Sequence, residues 1–330
     1  MTNSRSKLGE FDLIAKYFAP LAAGAPGAFG LKDDAATIAL EPGQELVVTT
    51  DLLSAGIHFF PGDPPELIAR KSLRVNLSDL AAKGAKPEGY LLSLALPHDI
   101  AADWISSFAE GLAEDQREFG VALFGGDTTA TNGSVTISIT AFGMLPSGSM
   151  TKRSGAKPGD IVFVTGTIGD AAKGLSLLRD QTKASYTATE RALIRRYRLP
   201  EPRVAFGQKI RGVATAALDV SDGLVADVEH IADASRVRMT VGISMIPLSD
   251  HRRRTSGASE SEIIAAATGG DDYEIAFAAP ADKRAVIQKL AEETRTPVNE
   301  IGRVEVGEGV SLVGDDGSEI AILHKGYKHF

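Results

Sequence analysis

The chain contains no cysteine among its 330 residues. This excludes a disulfide framework, a thiolate zinc or iron–sulfur site, and a cysteine nucleophile. Long hydrophobic runs are also missing, since no stretch approaches the roughly 18 apolar residues that cross a bilayer. The first residues, MTNSRSKLGEFDLIAKYF, lack the apolar segment and cleavage site of a secretory signal. We therefore expect a cytoplasmic protein with no membrane partner.

Positive charge is in deficit, because 43 acidic residues outnumber 35 basic ones and the pI is near 5.4. Without a basic footprint we expect no nucleic-acid partner. The common nucleotide and hydrolase motifs are absent as well. The chain has no GxxxxGK[ST] loop, no GxGxxG, no protein-kinase set, no HExxH and no GxSxG.

Strand-like and helix-like apolar patterns alternate along the chain, which predicts an α/β or mixed α+β fold. The segment Gln44–Thr50 is typical of a strand that stops before an aspartate, and Glu66–Lys83 is typical of a long helix. The run Pro146–Asp160 (PSGSMTKRSGAKPGD) is rich in turn formers, so we place a domain boundary there. The predicted domains are residues 1–148 and 149–330.

Aspartates recur at or just past the ends of predicted strands, in QELVVTTD, VALFGGDTT and AALDVSDG. Ligands of α/β proteins gather at such ends. Further acids follow Gly-rich segments or lie in an apolar helix, namely Asp33, Asp34, Asp271, Asp272 and Asp79. Each acid alone is also explained as a turn former or helix cap, with Ser221 or Asp222 as a cap in DVSDGL. Their number on separate segments favours the hypothesis that they share a cleft.

Carboxylates that share a cleft need a counter-charge, because unit charges about 4 Å apart repel by about 4 kcal/mol at an effective dielectric of 20. Mg²⁺ meets this need by binding one or two carboxylates together with substrate phosphates. The Gly-Gly pairs beside Asp127 and Asp271 allow backbone to approach a phosphate closely. These residues predict phosphoryl transfer by positioning and charge neutralisation.

An ordered set of motifs along nearly the whole chain resembles the thiamine-monophosphate kinase family: GEFDLIAKYF, DDAAT, TTDLLSAGIHF, KSLRVNLSDLAAKGAKP, GGDTT, KRSGAKPGD, TGTIGDAAKGL, DVSDGL, GGDDYE and KGYKHF. The resemblance implies transfer of a phosphoryl group from ATP to thiamine monophosphate, giving thiamine diphosphate with Mg²⁺ and no phosphoenzyme. It also implies the two-domain fold of aminoimidazole-ribonucleotide synthetase. The N-terminal domain would bind ATP and Mg²⁺ and pair strands across a homodimer, and the C-terminal domain would complete the nucleotide and substrate site.

The resemblance further implies roles for individual residues. Several Mg²⁺ ions would be held by Asp34, Thr49, Thr50, Asp51, Asp79, Asp127, Asp219 and Asp222. The ATP contacts would be Gly126, Asp127, Arg153 and Ser221. The thiamine phosphate contacts would be His58, Asp271 and Tyr327. No side chain serves as a covalent nucleophile. Two positions depart from the family pattern: Lys32 precedes the Asp33–Asp34 pair where the family has GDD, which leaves either aspartate as the ligand, and Asp271 replaces a glutamate.

Two other functions stay open. One is a different ATP-dependent synthetase of the same fold, such as a purine-pathway, selenophosphate or hydrogenase-maturation enzyme, although the lack of cysteine argues against the selenophosphate enzyme. The other is a non-catalytic metal-binding scaffold. Taken singly, His58 is also typical of a packed histidine, Arg153 of a solvated charge and Tyr327 of an anchoring aromatic. The basic run His251–Arg254 is interpreted as a solvated loop.

Overall fold

The computed structural model describes residues 9–327, which form two compact units. The first unit holds residues up to 76 together with 87–144, and the second holds 77–86 together with 145 onward. The mixed α/β class expected from the sequence is confirmed. No helix in the described range is both long and apolar enough to cross a membrane.

A four-stranded sheet forms the first unit, in the spatial order β1-β4-β2-β3. Its strands are β1 (Gln44–Ser54), β2 (Lys86–Pro97), β3 (Ala122–Thr131) and β4 (Thr136–Pro146). Before the sheet come a short helix, α1 (Glu10–Leu13), a π-helical segment (Ile14–Phe18) and two 3-10 segments (Ala19–Ala22 and Pro26–Leu31). Two long helices follow β1 and β2, namely α2 (Pro65–Ala82) and α3 (Ala102–Phe119).

A buried ion cluster joins α2 to α3 in the first unit. The fully buried carboxylate of Asp115 accepts hydrogen bonds from Arg70 Nε at 2.7 Å and from Arg74 Nε at 2.8 Å. Arg74 also contacts Glu118 and lies over the ring of Phe119. Because each charge in the cluster has a partner of opposite sign, the cluster fixes one packing of the two helices.

Replacing Asp115 with alanine should lower the free energy of unfolding of the first unit by about 3 kcal/mol, because two arginines then lose a buried partner. Trp104 is the only tryptophan and stacks on Phe108 within α3, so its fluorescence during urea denaturation reports this unit. The matched control is Glu114→Ala, which removes a half-exposed partner of Arg70 and should cost less than about 1 kcal/mol. Equal losses in the two variants would contradict this role of Asp115.

The second unit is built on a six-stranded sheet in the order β10-β7-β9-β5-β8-β6. Its strands are β5 (Asp160–Thr165), β6 (Ala216–Asp219), β7 (Arg238–Gly242), β8 (Ile275–Pro280), β9 (Val298–Glu305) and β10 (Gly309–Val313). All pairings are antiparallel except that of β10 with β7. Phe163 of β5 and Phe277 of β8 stack with ring centroids 5.1 Å apart in the core.

Seven helices surround this second sheet. They are α4 (Asp170–Arg179), α5 (Ala188–Arg198), α6 (Val204–Ile210), α7 (Leu224–Ser235), α8 (Asp250–Ser256), α9 (Glu260–Ala267) and α10 (Arg284–Thr294). Apolar side chains of α7 and α9 are buried with those of the sheet in one core cluster.

Three local predictions are wrong. β1 continues to Ser54, so Asp51 lies inside the strand, and Asp127 lies inside β3 rather than beyond its end. β3 continues through Thr128 and Thr129, whose branched side chains suit extended backbone, and β1 continues through Leu52 and Leu53. The basic run His251–Arg254 belongs to α8, where Arg252 is buried and donates to the carbonyl of Gly169. Asp219 does end β6 as predicted.

Candidate active site

A cavity of about 720 Å³ opens in the first unit, and three acids line it. Asp33, Asp34 and Asp127 share its wall with apolar side chains that include Phe18 and Phe124. One oxygen of Asp33 accepts the backbone N–H of Asp34 at 2.8 Å. Acids beside an apolar surface suit a ligand with an anionic end bridged by a cation and a less polar body.

Gly126 also lines the cavity, and no other residue fits its position. Its φ is 156°, and an added Cβ would lie 1.7 Å from the carbonyl oxygen of Leu92. β2 and β3 pair in parallel with a register shift beside this point, and Gly126 faces Leu92 across the pairing. The glycine lets the two backbones approach, and it thereby sets where Asp127 meets the cavity.

The remaining predicted residues of the first unit lie on β1 and just after it, outside the lining of this cavity. Thr49 and Asp51 share one face of the strand and Thr50 the other, because strand side chains alternate. The Thr50 hydroxyl donates to the carbonyl of Ile139 at 3.1 Å. His58 Nδ1 accepts the N–H of Ser54 at 3.1 Å, which leaves Nε2 as the protonated nitrogen of the neutral ring.

In the second unit, the structure brings Asp79 and Asp219 together. Asp79 lies near the end of α2, and Asp219 is the last residue of β6. Burial, and then the neighbouring Asp79, raise the pKa of Asp219 well above its usual value, and the two carboxyls are hydrogen-bonded. Two carboxyls in contact need a proton or a cation between them, so this pair fits a metal site.

Lys83 lies beside that pair and was not singled out from the sequence. Its ammonium donates to the carbonyl of Ala217 at 2.8 Å. Burial, followed by the charge of Arg153, lowers the pKa of Lys83 to about 8, whereas Asp219 and Asp79 act in the opposite direction. Lys83 follows a long apolar helix, and sequence periodicity gives no sign that its ammonium is buried.

The SDG loop after β6 is organised by an acid from the following helix. Asp227 Oδ2 accepts the backbone N–H groups of Ser221, Asp222 and Gly223 at 3.0, 3.0 and 3.1 Å. Neither Ser221 nor Asp222 caps α7, which begins after Gly223 without a side-chain cap. That alternative explanation is therefore wrong. Burial, and then Asp222, raise the pKa of Asp227 to about 7.

Two further predicted residues meet this loop through their backbones. The N–H of Asp271 donates to Ser221 O at 2.8 Å, and the N–H of Tyr327 donates to Asp222 O at 2.9 Å. Tyr327 as a whole residue is 53% exposed. The last three residues of the KGYKHF motif lie outside the described residues. Ser221, Asp222, Asp271 and Tyr327 thus gather in the second unit.

The acids nevertheless form no dense cluster. Within residues 9–327, no three histidine, aspartate or glutamate side chains lie close enough together to hold a metal ion by themselves. Mg²⁺ usually takes only one or two carboxylates and completes its shell with phosphate oxygens and water. The donor chemistry therefore fits Mg²⁺ bound with a phosphorylated ligand, whereas a cation held by protein groups alone would need more of them.

Comparison with known proteins places the chain in a family. Residues 32–145 match the N-terminal domain of AIR synthase related proteins, and residues 157–315 match their C-terminal domain. A thiamine-monophosphate kinase of Caulobacter vibrioides is 43% identical over 305 residues, which cover 92% of this chain and 86% of that protein. The chain belongs to the thiamine-monophosphate kinase family.

Solved structures of this family have the same fold. The crystal structure of thiamine-monophosphate kinase from Stenotrophomonas maltophilia K279a aligns with a TM-score of 0.81 at 40% identity, covering 88% of this chain and 91% of that one. A structure described as AaThiL complexed with AMPPCP and TMP aligns with a TM-score of 0.78 at 34% identity, covering 98% and 97%. The two-domain AIR synthase-related fold expected from the sequence is confirmed.

Proposed function

We propose that this chain transfers the γ-phosphoryl group of ATP to thiamine monophosphate, giving thiamine diphosphate and ADP. The observation that carries the proposal is the match, over 98% of the chain, to a structure complexed with AMPPCP and TMP. The terminal phosphate oxygen of thiamine monophosphate attacks the γ-phosphorus, and the bond to the ADP oxygen breaks. Because that acceptor oxygen is already anionic near neutral pH, no side chain is needed as nucleophile or general base.

In the first unit, we assign metal binding to Asp34, Thr49, Thr50, Asp51 and Asp127, and phosphate contact to Gly126 and Asp127. Asp34 is favoured over Asp33, since one oxygen of Asp33 already accepts a backbone N–H. Gly126 brings backbone to the wall of the acidic cavity. His58, whose ring is fixed through Nδ1, is assigned to the thiamine phosphate with Nε2 as its donor.

In the second unit, we assign metal binding to Asp79, Asp219 and Asp222, ATP contact to Arg153 and Ser221, and substrate contact to Asp271 and Tyr327. The contact between Asp79 and Asp219, and the backbone bonds that join Asp271 and Tyr327 to the SDG loop, support these roles. When bound, several Mg²⁺ ions supply charge neutralisation between the two phosphorylated reactants. The side chains hold and orient the groups that react.

We also propose that the chain is a homodimer in which residues 1–148 provide the dimer contact and residues 149–330 complete the nucleotide and substrate site. Val48 and Leu52 on one face of the edge strand β1 are 56% and 59% exposed, which leaves an apolar surface that a second copy could cover. Sedimentation equilibrium should return twice the chain mass of 34.7 kDa, and a monomer would overturn this arrangement. We place the enzyme in the cytoplasm, where ATP is available.

The test of the activity is a chromatographic assay with ATP, Mg²⁺ and each of several acceptors. We expect thiamine diphosphate and ADP in equal amounts from thiamine monophosphate. The acceptors of purine-pathway and hydrogenase-maturation enzymes should give no product. ATP consumption with another acceptor alone would favour a different synthetase of this fold. Mg²⁺ binding without any ATP consumption would favour a non-catalytic scaffold.

A further inference from the structure

The GGDDYE segment of the second unit carries two residues in the left-handed backbone region although neither is glycine. Asp271 has a φ of 69° and Tyr273 a φ of 52°. Aspartate tolerates this conformation, but for a bulky aromatic residue it is a genuine outlier. Such strain persists only where the surrounding structure enforces it, and it is concentrated at functional sites.

Backbone hydrogen bonds to the segment that follows β6 hold part of this strained conformation in place. The N–H of Asp271 donates to Ser221 O at 2.8 Å, and the N–H of Tyr273 donates to Val220 O at 2.7 Å. The Tyr273 hydroxyl also donates to Asp271 Oδ1 at 3.2 Å. Asp272, between the two strained residues, is buried, and its Oδ2 accepts the N–H of Gly169 at 2.8 Å.

A buried ion cluster lies directly after the strained residues. The carboxylate of Glu274 is fully buried and accepts from Thr165 Oγ1 at 2.7 Å, Arg203 Nε at 2.6 Å and Arg196 Nη2 at 2.9 Å. Gly166 packs against this carboxylate so closely that an added Cβ would lie 2.0 Å from Oε1. Glu274 therefore has little freedom to move, and it provides a fixed point for the loop.

The two arginines of this cluster differ in what else they bind. Arg196 Nη2 also donates to the backbone carbonyl of Asp272 at 3.2 Å, so one guanidinium joins the fixed carboxylate to the residue between the two strained positions. Arg203 approaches Glu274 through both Nε and Nη2. The Nη1 atoms of both arginines lie 3.4 Å from Glu201 Oε2. Of the bonds described for these two arginines, only the one from Arg196 to the Asp272 carbonyl reaches the backbone of the loop.

We infer that Arg196 is a positioning residue: by joining Glu274 to the carbonyl of Asp272, it holds the GGDDYE loop in the strained conformation that presents Asp271 to thiamine monophosphate. The inference deepens the proposed function and, in its last step, rests on it. Arg196 lies on α5, a helix outside all the motifs that carry the family resemblance, so its connection to the site arises only when the chain folds.

The test compares Arg196→Met with Arg203→Met. Each variant leaves Glu274 with one arginine partner, but only the first removes the bond to the Asp272 carbonyl. Hydrogen exchange at the amides of Asp271 and Tyr273 measures the loop conformation, with amides of β7 as the reference for global stability. We expect exchange at the loop to accelerate about tenfold or more in Arg196→Met and less than about twofold in Arg203→Met.

Kinetics of the same variants separate the inference from the proposed function. We expect Arg196→Met to raise the KM for thiamine monophosphate about tenfold with the KM for ATP unchanged, and Arg196→Lys to restore most of the loss. Unchanged exchange in Arg196→Met, or equal acceleration in both variants, would overturn the positioning role. Accelerated exchange in Arg196→Met alone, with an unchanged KM, would support that role but contradict the assignment of Asp271 to the substrate.

Discussion

Replacing Asp127 with asparagine is expected to lower kcat for thiamine diphosphate formation about a thousand-fold while leaving the fold intact. An amide is a much poorer ligand for Mg²⁺ than a carboxylate, and losing about 4 kcal/mol of charge stabilisation in the transition state has this effect. The fold should persist, because Asp127 is exposed and its Oδ1 accepts the Thr128 N–H at 2.9 Å, which an asparagine oxygen can also do. Steady-state kinetics at saturating Mg²⁺ provide the measurement.

The matched control for this variant is Asp103→Asn, which changes an exposed acid of α3 in the same unit. It should leave kcat within about twofold of the unmodified chain, because surface substitutions away from special sites have small effects. Near-normal turnover of Asp127→Asn would remove Asp127 from the metal assignment. A thermal unfolding midpoint well below that of the control would attribute the lost activity to the fold instead.

Asp219→Asn should lower activity at least a hundredfold and at the same time stabilise the metal-free protein. Asp219 is buried in contact with Asp79, and burial together with that neighbour raises its pKa well above the usual value. Asparagine is neutral, so folding no longer has to bury a charge or take up a proton at this position beside Asp79. About 1 kcal/mol of relief raises the Tm by roughly 2–4 °C in a unit of this size. The activity falls because one carboxylate ligand is lost.

Thermal unfolding of Asp219→Asn in EDTA and in excess Mg²⁺ separates these two effects. We expect Mg²⁺ to raise the Tm of the unmodified chain more than that of the variant, since binding to the folded state alone stabilises it. A variant that is less stable than the unmodified chain in EDTA would show that the Asp79–Asp219 contact is favourable without a metal. An equal response of both proteins to Mg²⁺ would remove Asp219 from the ligand set.

Local patterns in the sequence were sufficient for much of the fold. The apolar stripe and flanking prolines of α2 predict a helix over Glu66–Lys83, and the structure has it at Pro65–Ala82. Strand ends were harder, because Leu52 and Thr128 continue the extended backbone after the aspartate that suggested a stop. In such cases cross-strand pairing decides where a strand ends, and one strand's sequence does not contain its partner.

The same limit applies to the candidate site, where local sequence identifies some residues and only folding identifies the others. The acids were recognisable because they recur in short segments with glycine. Asp227, which organises the SDG loop, and Lys83, which lies beside Asp219, carry no such local signal. Arg196 and Glu274 are 78 residues apart in the chain and meet only after folding. Residues that orient a site from a distance are specified by tertiary packing, so periodicity and spacing do not identify them.

The central claim is that an acidic chain binds a polyanionic nucleotide through cations held by its carboxylates. The most direct test is calorimetric binding of a non-hydrolysable ATP analogue, in Mg²⁺ and in EDTA. With a net charge of −8 on the chain, we expect affinity in EDTA to fall at least about a hundredfold, because carboxylates and phosphates then repel. Equal affinity of the analogue in Mg²⁺ and in EDTA would contradict the claim.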